Sequence, residues 1–207
     1  MWNTSLRNIK VRLIAITGGI GSGKSVVARM VQVMGFQVYD CDSRAKALMT
    51  DDEEVRKQLT VAFGKDVFLE DGTLNRQHLS AVAFADDKAL SRLNAIVHPA
   101  TARDMQRWAT EQEHRGASMA FVETALLRTA RLDSVVDGVW HVTAPDTVRI
   151  ERVIARNGLT AQQVLERMEA QRDEERIDPG EHVIINDNQS ALLPQVTRLL
   201  SSMSGDL

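Results

Sequence analysis

A glycine-rich segment near the start of the chain restricts its possible folds more than any other feature. The segment Gly18-Gly19-Ile20-Gly21-Ser22-Gly23-Lys24-Ser25 follows an apolar run, residues 13–16, and precedes apolar residues at helical spacing, residues 26–31. It fits the phosphate-binding loop pattern, in which glycines let successive backbone N–H groups point at phosphate oxygens. The positive end of the following helix adds to this attraction. The sequence therefore predicts a strand, a phosphate-binding loop and a helix, in that order.

The same loop predicts how a nucleoside triphosphate is held. Lys24 is expected to reach the β- and γ-phosphates as a mobile point charge, and Ser25 to offer its hydroxyl to Mg²⁺. We expect ATP to contact the loop and the first residue after it, namely Gly19, Ile20, Gly21, Ser22, Gly23, Lys24, Ser25 and Val26. Switch GTPases, motor ATPases and small-molecule kinases all share this loop. The sequence contains no Asn-Lys-x-Asp guanine-reading segment, and the chain is short for a motor.

Four further apolar runs predict the rest of the fold. They are residues 36–39, 119–122, 139–142 and 182–185, and helical patterns fill most of the intervals between them. This alternation predicts a three-layer α/β fold with a mainly parallel five-stranded sheet. The apolar spacing over residues 192–200 predicts a terminal helix that packs on the sheet.

Two intervals are longer than a simple crossover between parallel strands needs. The first, about 42–115, is mostly helical by pattern, and the second, about 146–180, has many charges and few large apolar residues. In nucleotide-binding folds such insertions bind the second substrate and close over the first. We therefore expect one kinase domain over residues 10–207, with an acceptor-binding insertion, a lid and a short N-terminal extension over residues 1–9. Surface helices without a function are the alternative.

Composition narrows the class of partner. With 25 basic and 28 acidic residues the formal net charge is -3, which gives no general attraction for nucleic acid. No apolar run reaches transmembrane length, and the first twelve residues do not resemble a signal peptide. Cys41 is the only cysteine, which excludes an intramolecular disulfide and suits a reducing compartment. We expect a soluble cytoplasmic protein that binds small molecules rather than nucleic acid or a membrane.

Carboxylates follow two of the predicted strands. Asp40 and Asp42 come just after the second strand, and Glu123 ends the third. Ligands of open α/β sheets sit at the carboxyl ends of the strands, so one of the aspartates could take a proton from an attacking hydroxyl. Glu123 could hold Mg²⁺, usually through a water. Acids at strand ends also cap helices, so position alone leaves both interpretations open.

Two arginines in the predicted lid are spaced for one helix face. Arg152 and Arg156 lie four residues apart, so a helix would project both from the same side. Two guanidinium groups there could close over the β- and γ-phosphates and offset charge in the transition state. A solvated charged face, which would include Glu151, accounts for the same spacing.

Several segments together resemble the dephospho-CoA kinase family over nearly the whole chain. Besides the loop, they are Val38-Tyr39-Asp40-Cys41-Asp42, Asp71-Gly72-Thr73-Leu74-Asn75-Arg76, Val97-His98-Pro99, Arg156-Asn157-Gly158-Leu159-Thr160, Ala170-Gln171 and Val183-Ile184-Ile185-Asn186. The order of Asp-x-Asp, Asp-Gly-x-Leu-x-Arg and His-Pro is far more specific than the loop. The resemblance implies that ATP phosphorylates the ribose 3′-hydroxyl of dephospho-CoA, the final step of coenzyme A synthesis.

The resemblance also implies roles for individual residues. Asp42 matches the family's catalytic aspartate, which would orient or deprotonate the ribose hydroxyl. Lys46 stands where the family usually has arginine, and its charge could still meet an acceptor phosphate, although without a planar fork. His98 and Pro99 match the acceptor-side helix. Arg156 matches the lid arginine near ATP.

One segment departs from the commonest family pattern. Where many members read Asp-x-Pro-Leu-Leu-Phe-Glu, this chain reads Glu123-Thr124-Ala125-Leu126-Leu127-Arg128-Thr129. The carboxylate is kept with one more methylene, while the proline and the aromatic–acid pair are lost, which changes the loop expected to face the acceptor. Asn186, expected on the adenine side, lacks the Asp that often precedes it.

Three hypotheses follow from the sequence. The leading one is a dephospho-CoA kinase that uses ATP and Mg²⁺, with Asp42, Lys24 and Arg156 as its catalytic residues. The second is another small-molecule P-loop kinase, acting on a nucleoside monophosphate or a sugar acid. The third is a non-catalytic ATP-binding protein, in which the altered segment after Glu123 has cost the chain its activity. Retention of both Asp42 and Arg156 argues against that loss.

Overall fold

The chain divides into two compact units in its computed structural model, which describes residues 11–83 and 85–204. The first unit consists of the described residues up to Asp40 together with those from Ala109 onwards, and the second is Cys41–Trp108. The predicted N-terminal extension over residues 1–9 lies outside the described residues.

The first unit contains a five-stranded sheet. Its strands are β1 (Arg12–Thr17), β2 (Val38–Asp40), β3 (Met119–Glu123), β4 (Gly138–Thr143) and β5 (His182–Ile185). All neighbouring pairs are parallel, in the order β2-β3-β1-β4-β5. The central strand β1 is buried from its second residue onwards, as expected for a parallel strand covered on both faces. The predicted α/β class and parallel five-stranded sheet are confirmed.

The helices occupy the intervals between the strands, as the periodicity predicts. In chain order they are α1 (Lys24–Val33), α2 (Cys41–Asp51), α3 (Glu53–Phe63), α4 (Arg76–Ala83), α5 (Asp87–His114), α6 (Asp146–Asn157), α7 (Ala161–Ala170) and α8 (Leu192–Ser204). A short 3-10 helix, Arg172–Glu175, follows α7. Within residues 11–83 and 85–204, no helix has the length and apolarity required to span a bilayer.

One face of the sheet packs against α1 and α8. Side chains two residues apart on a strand point to the same face, so Ile14 and Ile16 of β1 share this core with Phe121 of β3 and Trp140 of β4. The rings of Phe121 and Trp140 lie 5.0 Å apart, centroid to centroid. Val31 of α1 is fully buried among them. This core fixes β1 in the centre of the sheet, with its carboxyl end leading into the glycine-rich loop.

The second unit has its own apolar core. Leu48 of α2, Val55 and Leu59 of α3 and Leu79 of α4 are buried together there. The side chain of Asp52 accepts a hydrogen bond from the Val55 N–H and so caps the start of α3. The unit covers most of the interval predicted as an insertion, and its acceptor-binding role remains a prediction.

Helices α6 and α7 enclose a small apolar cluster of their own in the first unit. Val153 of α6 packs with Val164 and Met168 of α7, and Ile20 of the glycine-rich loop contacts the same cluster. Thr160 starts α7 with a reciprocal capping box, in which its side chain and that of Gln163 each bond the other's backbone N–H. These helices occupy the predicted lid interval, and lid closure remains a prediction.

Candidate active site

The carboxyl ends of three neighbouring strands meet at one edge of the sheet. β1 ends at Thr17 and leads into the loop, β2 ends at Asp40, and β3 ends at Glu123. Glu123 is the register partner of Asp40 on one side and of Ile16 on the other. Neighbouring strands lie about 4.8 Å apart. The structure therefore places two acids, Asp40 and Glu123, side by side at the edge where the loop begins.

The oxygen groups at this edge fit a hard divalent cation. Glu123 and Asp40 carry carboxylates, and Ser25 carries an exposed hydroxyl in the first turn of α1. Mg²⁺ prefers oxygen ligands and takes most of them from water and substrate phosphates rather than from an all-protein cage. No cluster of three or more His, Cys, Asp or Glu able to hold a metal occurs in the described part of the chain. A cation here would therefore depend on phosphate oxygens.

The glycine-rich loop curls back on itself before α1. The Ser22 N–H donates to the Gly19 carbonyl at 3.2 Å, and the Val26 N–H donates to the Gly23 carbonyl at 3.0 Å. Gly23 has a φ of 98°, and a Cβ on it would lie 2.1 Å from Nδ2 of Asn186. Only glycine fits such a position without strain. Lys24 Nζ donates to the Gly19 carbonyl oxygen at 3.4 Å.

Two residues predicted to bind the nucleotide contact the loop backbone from distant parts of the sequence. Asn186 follows β5, is buried, and donates from Nδ2 to the Ser22 carbonyl at 2.7 Å. Arg152 of α6 donates to the carbonyls of Gly21 at 3.3 Å and Ser22 at 3.4 Å, and to the Asn186 backbone carbonyl at 3.0 Å. The structure thus brings both residues to the carbonyl side of the loop, while their nucleotide contacts remain predictions.

Arg156 lies in a different setting from Arg152, although the two share a helix. It is exposed in the last turn of α6, and its Nε donates to the Asn157 side chain at 2.9 Å. The helix ends at Asn157, and the next residue, Gly158, caps it in a left-handed conformation. The predicted catalytic role of Arg156 remains a prediction.

Arg149 and Gln171, to which the sequence analysis gave no role in the site, bind the first half of the loop, and Glu175 binds Arg149. Arg149 of α6 donates from Nε to the Ile20 carbonyl at 2.9 Å and is paired with Glu175. Gln171 accepts a hydrogen bond from the Ile20 N–H at 2.9 Å. The spacing of Arg149, three residues before Arg152, was a readable signal, because residues three apart share a helix face.

The acceptor-side residues predicted from the resemblance lie on two helices of the second unit. Asp42 and Lys46 are four residues apart on α2 and both are exposed, so they share one face of that helix. His98 is half-buried and Pro99 exposed on α5. Their contacts with an acceptor remain predictions.

A bidentate ion pair joins these two helices. Arg44, between Asp42 and Lys46 on α2, donates from Nε and Nη2 to the two carboxylate oxygens of Asp104 on α5, at 2.8 and 2.9 Å. Arg107 adds a third bond to Asp104 at 3.2 Å. Paired planar groups fix orientation as well as distance, so α2 and α5 are held in register. The sequence did not predict this pair, because Arg44 and Asp104 lie 60 positions apart.

The segment that departs from the family pattern has acidic partners. The Arg128 guanidinium donates from Nη2 to Asp178 at 3.0 Å and to Glu181 at 2.7 Å. The hydrogen bond from Arg128 lowers the pKa of Asp178. The backbone N–H groups of Arg128 and Thr129 donate to the two oxygens of buried Glu174 at 2.9 and 2.8 Å. The last part of the predicted lid interval, with Glu181 just after it, is thereby anchored on the loop after β3.

His141 of β4 lies behind this anchor. It is buried, and its Nδ1 is 3.4 Å from Oε2 of Glu181. Burial lowers the pKa of His141, because desolvation disfavours the charged imidazolium, while Glu181 and the more distant Glu175 act in the opposite direction. Arg128 adds to the lowering. The structure therefore favours a neutral imidazole at position 141.

We expect this buried histidine to make the folded protein less stable in mild acid. The unfolded chain, whose histidines titrate near their ordinary pKa of about 6.5, takes up a proton at a pH where His141 in the folded chain remains neutral. The free energy of unfolding should therefore fall as pH drops from about 7 to about 5, and His141→Asn should flatten that slope. Urea unfolding of both proteins at each pH measures the change. The exposed His182 provides the matched control, and an equal slope in His141→Asn and the natural chain would contradict the assignment.

A phosphate loop between the central strand of a parallel sheet and its first helix, with acids at the ends of the next two strands, defines the class of P-loop kinases. Comparison with known proteins is more specific. The sequence model of one family, dephospho-CoA kinase, matches residues 12–191. The chain belongs to the dephospho-CoA kinase family.

Individual relatives agree with this assignment over most of their length. A dephospho-CoA kinase of Porphyromonas gingivalis is 38% identical over 192 residues, covering 92% of this chain and 93% of that protein. One from Corynebacterium efficiens is 35% identical, covering 92% and 96%. Among solved structures, a Thermus thermophilus protein superposes with a TM-score of 0.77 at 30% identity, covering 95% of this chain and 98% of that one. The dephospho-CoA kinase of Campylobacter jejuni, at a TM-score of 0.70 and 18% identity over 94% and 98%, shares the fold.

Proposed function

We propose that this chain transfers the γ-phosphoryl group of ATP to the ribose 3′-hydroxyl of dephospho-CoA, giving coenzyme A and ADP. The observation that carries the proposal is the family match over residues 12–191, which includes both the phosphate loop and Asp42. The relatives of 35–38% identity carry the same activity in their names.

The donor side of the proposed reaction uses the first unit. The N–H groups of the loop bind the β-phosphate, and Lys24 reaches the β- and γ-phosphates. Ser25 and Glu123 would hold Mg²⁺, which neutralises charge on the phosphate oxygens when it is bound. Arg156 offsets the charge that develops on the transferring group. The oxygen donors at the sheet edge, Ser25 and Glu123 with Asp40 beside it, support this assignment.

The acceptor side uses α2 and α5. Asp42 orients the ribose hydroxyl and accepts its proton as the new oxygen–phosphorus bond forms. The bond between the γ-phosphorus and the bridging oxygen breaks at the same time, and the electron pair leaves with ADP. Lys46 and His98 bind phosphate groups of the acceptor. The Arg44–Asp104 pair supports these roles, because it holds the helix of Asp42 and Lys46 in register with that of His98.

The proposal predicts ADP formation that depends on dephospho-CoA. Purified protein with Mg²⁺ and ATP should release ADP at least about tenfold faster with dephospho-CoA than without it, because closure of the predicted lid would exclude water as a competing acceptor. Coupled-assay kinetics and the mass of the product, increased by one phosphate group, measure the reaction. A panel of nucleoside monophosphates and sugar acids is the control. Faster turnover with any member of that panel, or none with dephospho-CoA, would contradict the acceptor assignment.

A further inference from the structure

The guanidinium of Arg149 is buried, although arginine is rarely buried without partners. The residue is 4% exposed. Its Nε donates to the Ile20 carbonyl, and Nη1 donates to Asp146 at 3.2 Å. The two terminal nitrogens also donate to the two carboxylate oxygens of Glu175, one of them at 2.8 Å. Among these partners, only Glu175 binds Arg149 through both of its carboxylate oxygens.

This ion pair lies directly on the first half of the phosphate loop. A Cβ on Gly19 would be 2.1 Å from a carboxylate oxygen of Glu175 and 2.2 Å from Nη2 of Arg149, so a side chain there would displace the pair. Both backbone polar groups of Ile20 are hydrogen-bonded, the carbonyl by Arg149 and the N–H by Gln171. The conformation of Gly19 and Ile20 is therefore set by residues more than a hundred positions away.

The rest of the loop depends on these two residues. The Gly19 carbonyl accepts the Ser22 N–H and lies 3.4 Å from Lys24 Nζ, so its direction influences the part of the loop that binds phosphate. If the carboxylate of Glu175 were lost, Arg149 would remain as a buried cation without its bidentate partner, which is costly. It would then move towards water or towards the nucleotide phosphates, and its bond to the Ile20 carbonyl would weaken.

We propose that Glu175 is a positioning residue for nucleotide binding, which acts through Arg149 to hold Gly19 and Ile20 in the conformation that receives the phosphates. The inference rests on the proposed function, because it takes the loop to be the site of ATP and ADP. Glu175 itself need not touch either substrate. Its neighbour Glu174 points to another target, the N–H groups of Arg128 and Thr129, so two adjacent carboxylates of the same 3-10 helix have separate partners.

The test is the affinity for ADP, which requires neither acceptor nor turnover. We expect Glu175→Gln to weaken ADP binding, measured by titration calorimetry, by about tenfold, the order lost with one charge-assisted hydrogen bond. Glu174→Gln is the matched control, since Glu174 is buried on the same 3-10 helix and accepts its hydrogen bonds from Arg128 and Thr129 rather than from the phosphate loop. It should lower the melting temperature while ADP affinity changes less than about twofold.

Two further variants separate positioning from general loss of structure. Glu175→Asp keeps the charge and should recover part of the lost affinity. Gln171→Ala removes the partner of the Ile20 N–H and should also weaken ADP binding, which gives a test that does not depend on the folding of Glu175→Gln. In turnover, Glu175→Gln should raise the KM for ATP with kcat changed less than about threefold, because Asp42 is untouched.

Unchanged ADP affinity in Glu175→Gln, or in Gln171→Ala should the former not fold, would overturn the inference. Equal weakening in Glu174→Gln would overturn it as well. Normal ADP binding by the natural chain without phosphorylation of dephospho-CoA would instead contradict only the acceptor assignment. Absence of ADP binding by the natural chain would remove the proposed function and this inference together.

Discussion

Replacement of Asp42 by Asn should lower kcat for dephospho-CoA phosphorylation by about 10²–10⁴-fold, the usual contribution of a positioned acid or base. The amide keeps the size of the side chain and one hydrogen-bond acceptor, but it cannot take the proton of the ribose hydroxyl. Since Asp42 lies in α2 and not in the phosphate loop, ADP affinity should be unchanged. Steady-state kinetics and ADP titration of the same preparation measure the two quantities.

A matched control exists on the same helix. Asp51 is an exposed aspartate at the end of α2, so Asp51→Asn makes the same chemical change at a site given no role in the reaction. It should leave kcat within about twofold, as expected for a surface substitution. Asp40→Asn tests the neighbouring carboxylate at the end of β2. If Asp40→Asn abolished turnover while Asp42→Asn retained it, the catalytic carboxylate would have been assigned to the wrong residue.

The central strands β1 and β3 were readable from the sequence because both are buried over most of their length. Continuous apolar runs have few alternative environments in a chain of this composition, and the run at His182–Ile185 was predicted with the bounds that the structure shows. The second strand differs. It begins at Val38, two residues later than predicted, because the Phe36 N–H bonds the Val31 carbonyl and so belongs to the turn that ends α1.

The pattern of apolar residues could not distinguish these two uses of Phe36. Its side chain packs on the main core whether its backbone lies in a turn or in a strand. Periodicity reports which side chains are buried, whereas strand bounds depend on hydrogen-bond partners that the sequence does not name.

The candidate site was readable where a local motif sets the geometry. The loop over Gly18–Ser25 carries its own conformational requirements, so its place between β1 and α1 followed from the residues alone. Arg149 and Glu175 were missed because their importance depends on burial, and the many charges of the predicted lid interval did not show which of them are buried. A long charged side chain can be buried or exposed to solvent, and the sequence does not distinguish the two unless its partners are known.

The partners of Arg128 also could not be predicted from the sequence. Because Arg128 departs from the family pattern, the sequence predicted a change in the loop expected to face the acceptor. In the structure its guanidinium is paired with Asp178, near the end of the predicted lid interval, and with Glu181 just after that interval. The arginine at position 128 is therefore paired with acids about 50 positions away, and the spacing of residues in a single sequence does not predict such a pair.

Lys24→Ala should reduce kcat/KM for ATP by about 10²–10³-fold, the usual cost of removing one preorganised group that stabilises charge in the transition state. Without the ammonium, the β- and γ-phosphates would lose a cation that lies at the loop, within 3.4 Å of the Gly19 carbonyl oxygen. Lys57, an exposed lysine of α3, provides the control substitution and should leave kcat/KM within about twofold. Initial rates at varied ATP and saturating dephospho-CoA give the comparison. Retention of kcat/KM for ATP within about twofold in Lys24→Ala would contradict the expected contact of Lys24 with the β- and γ-phosphates.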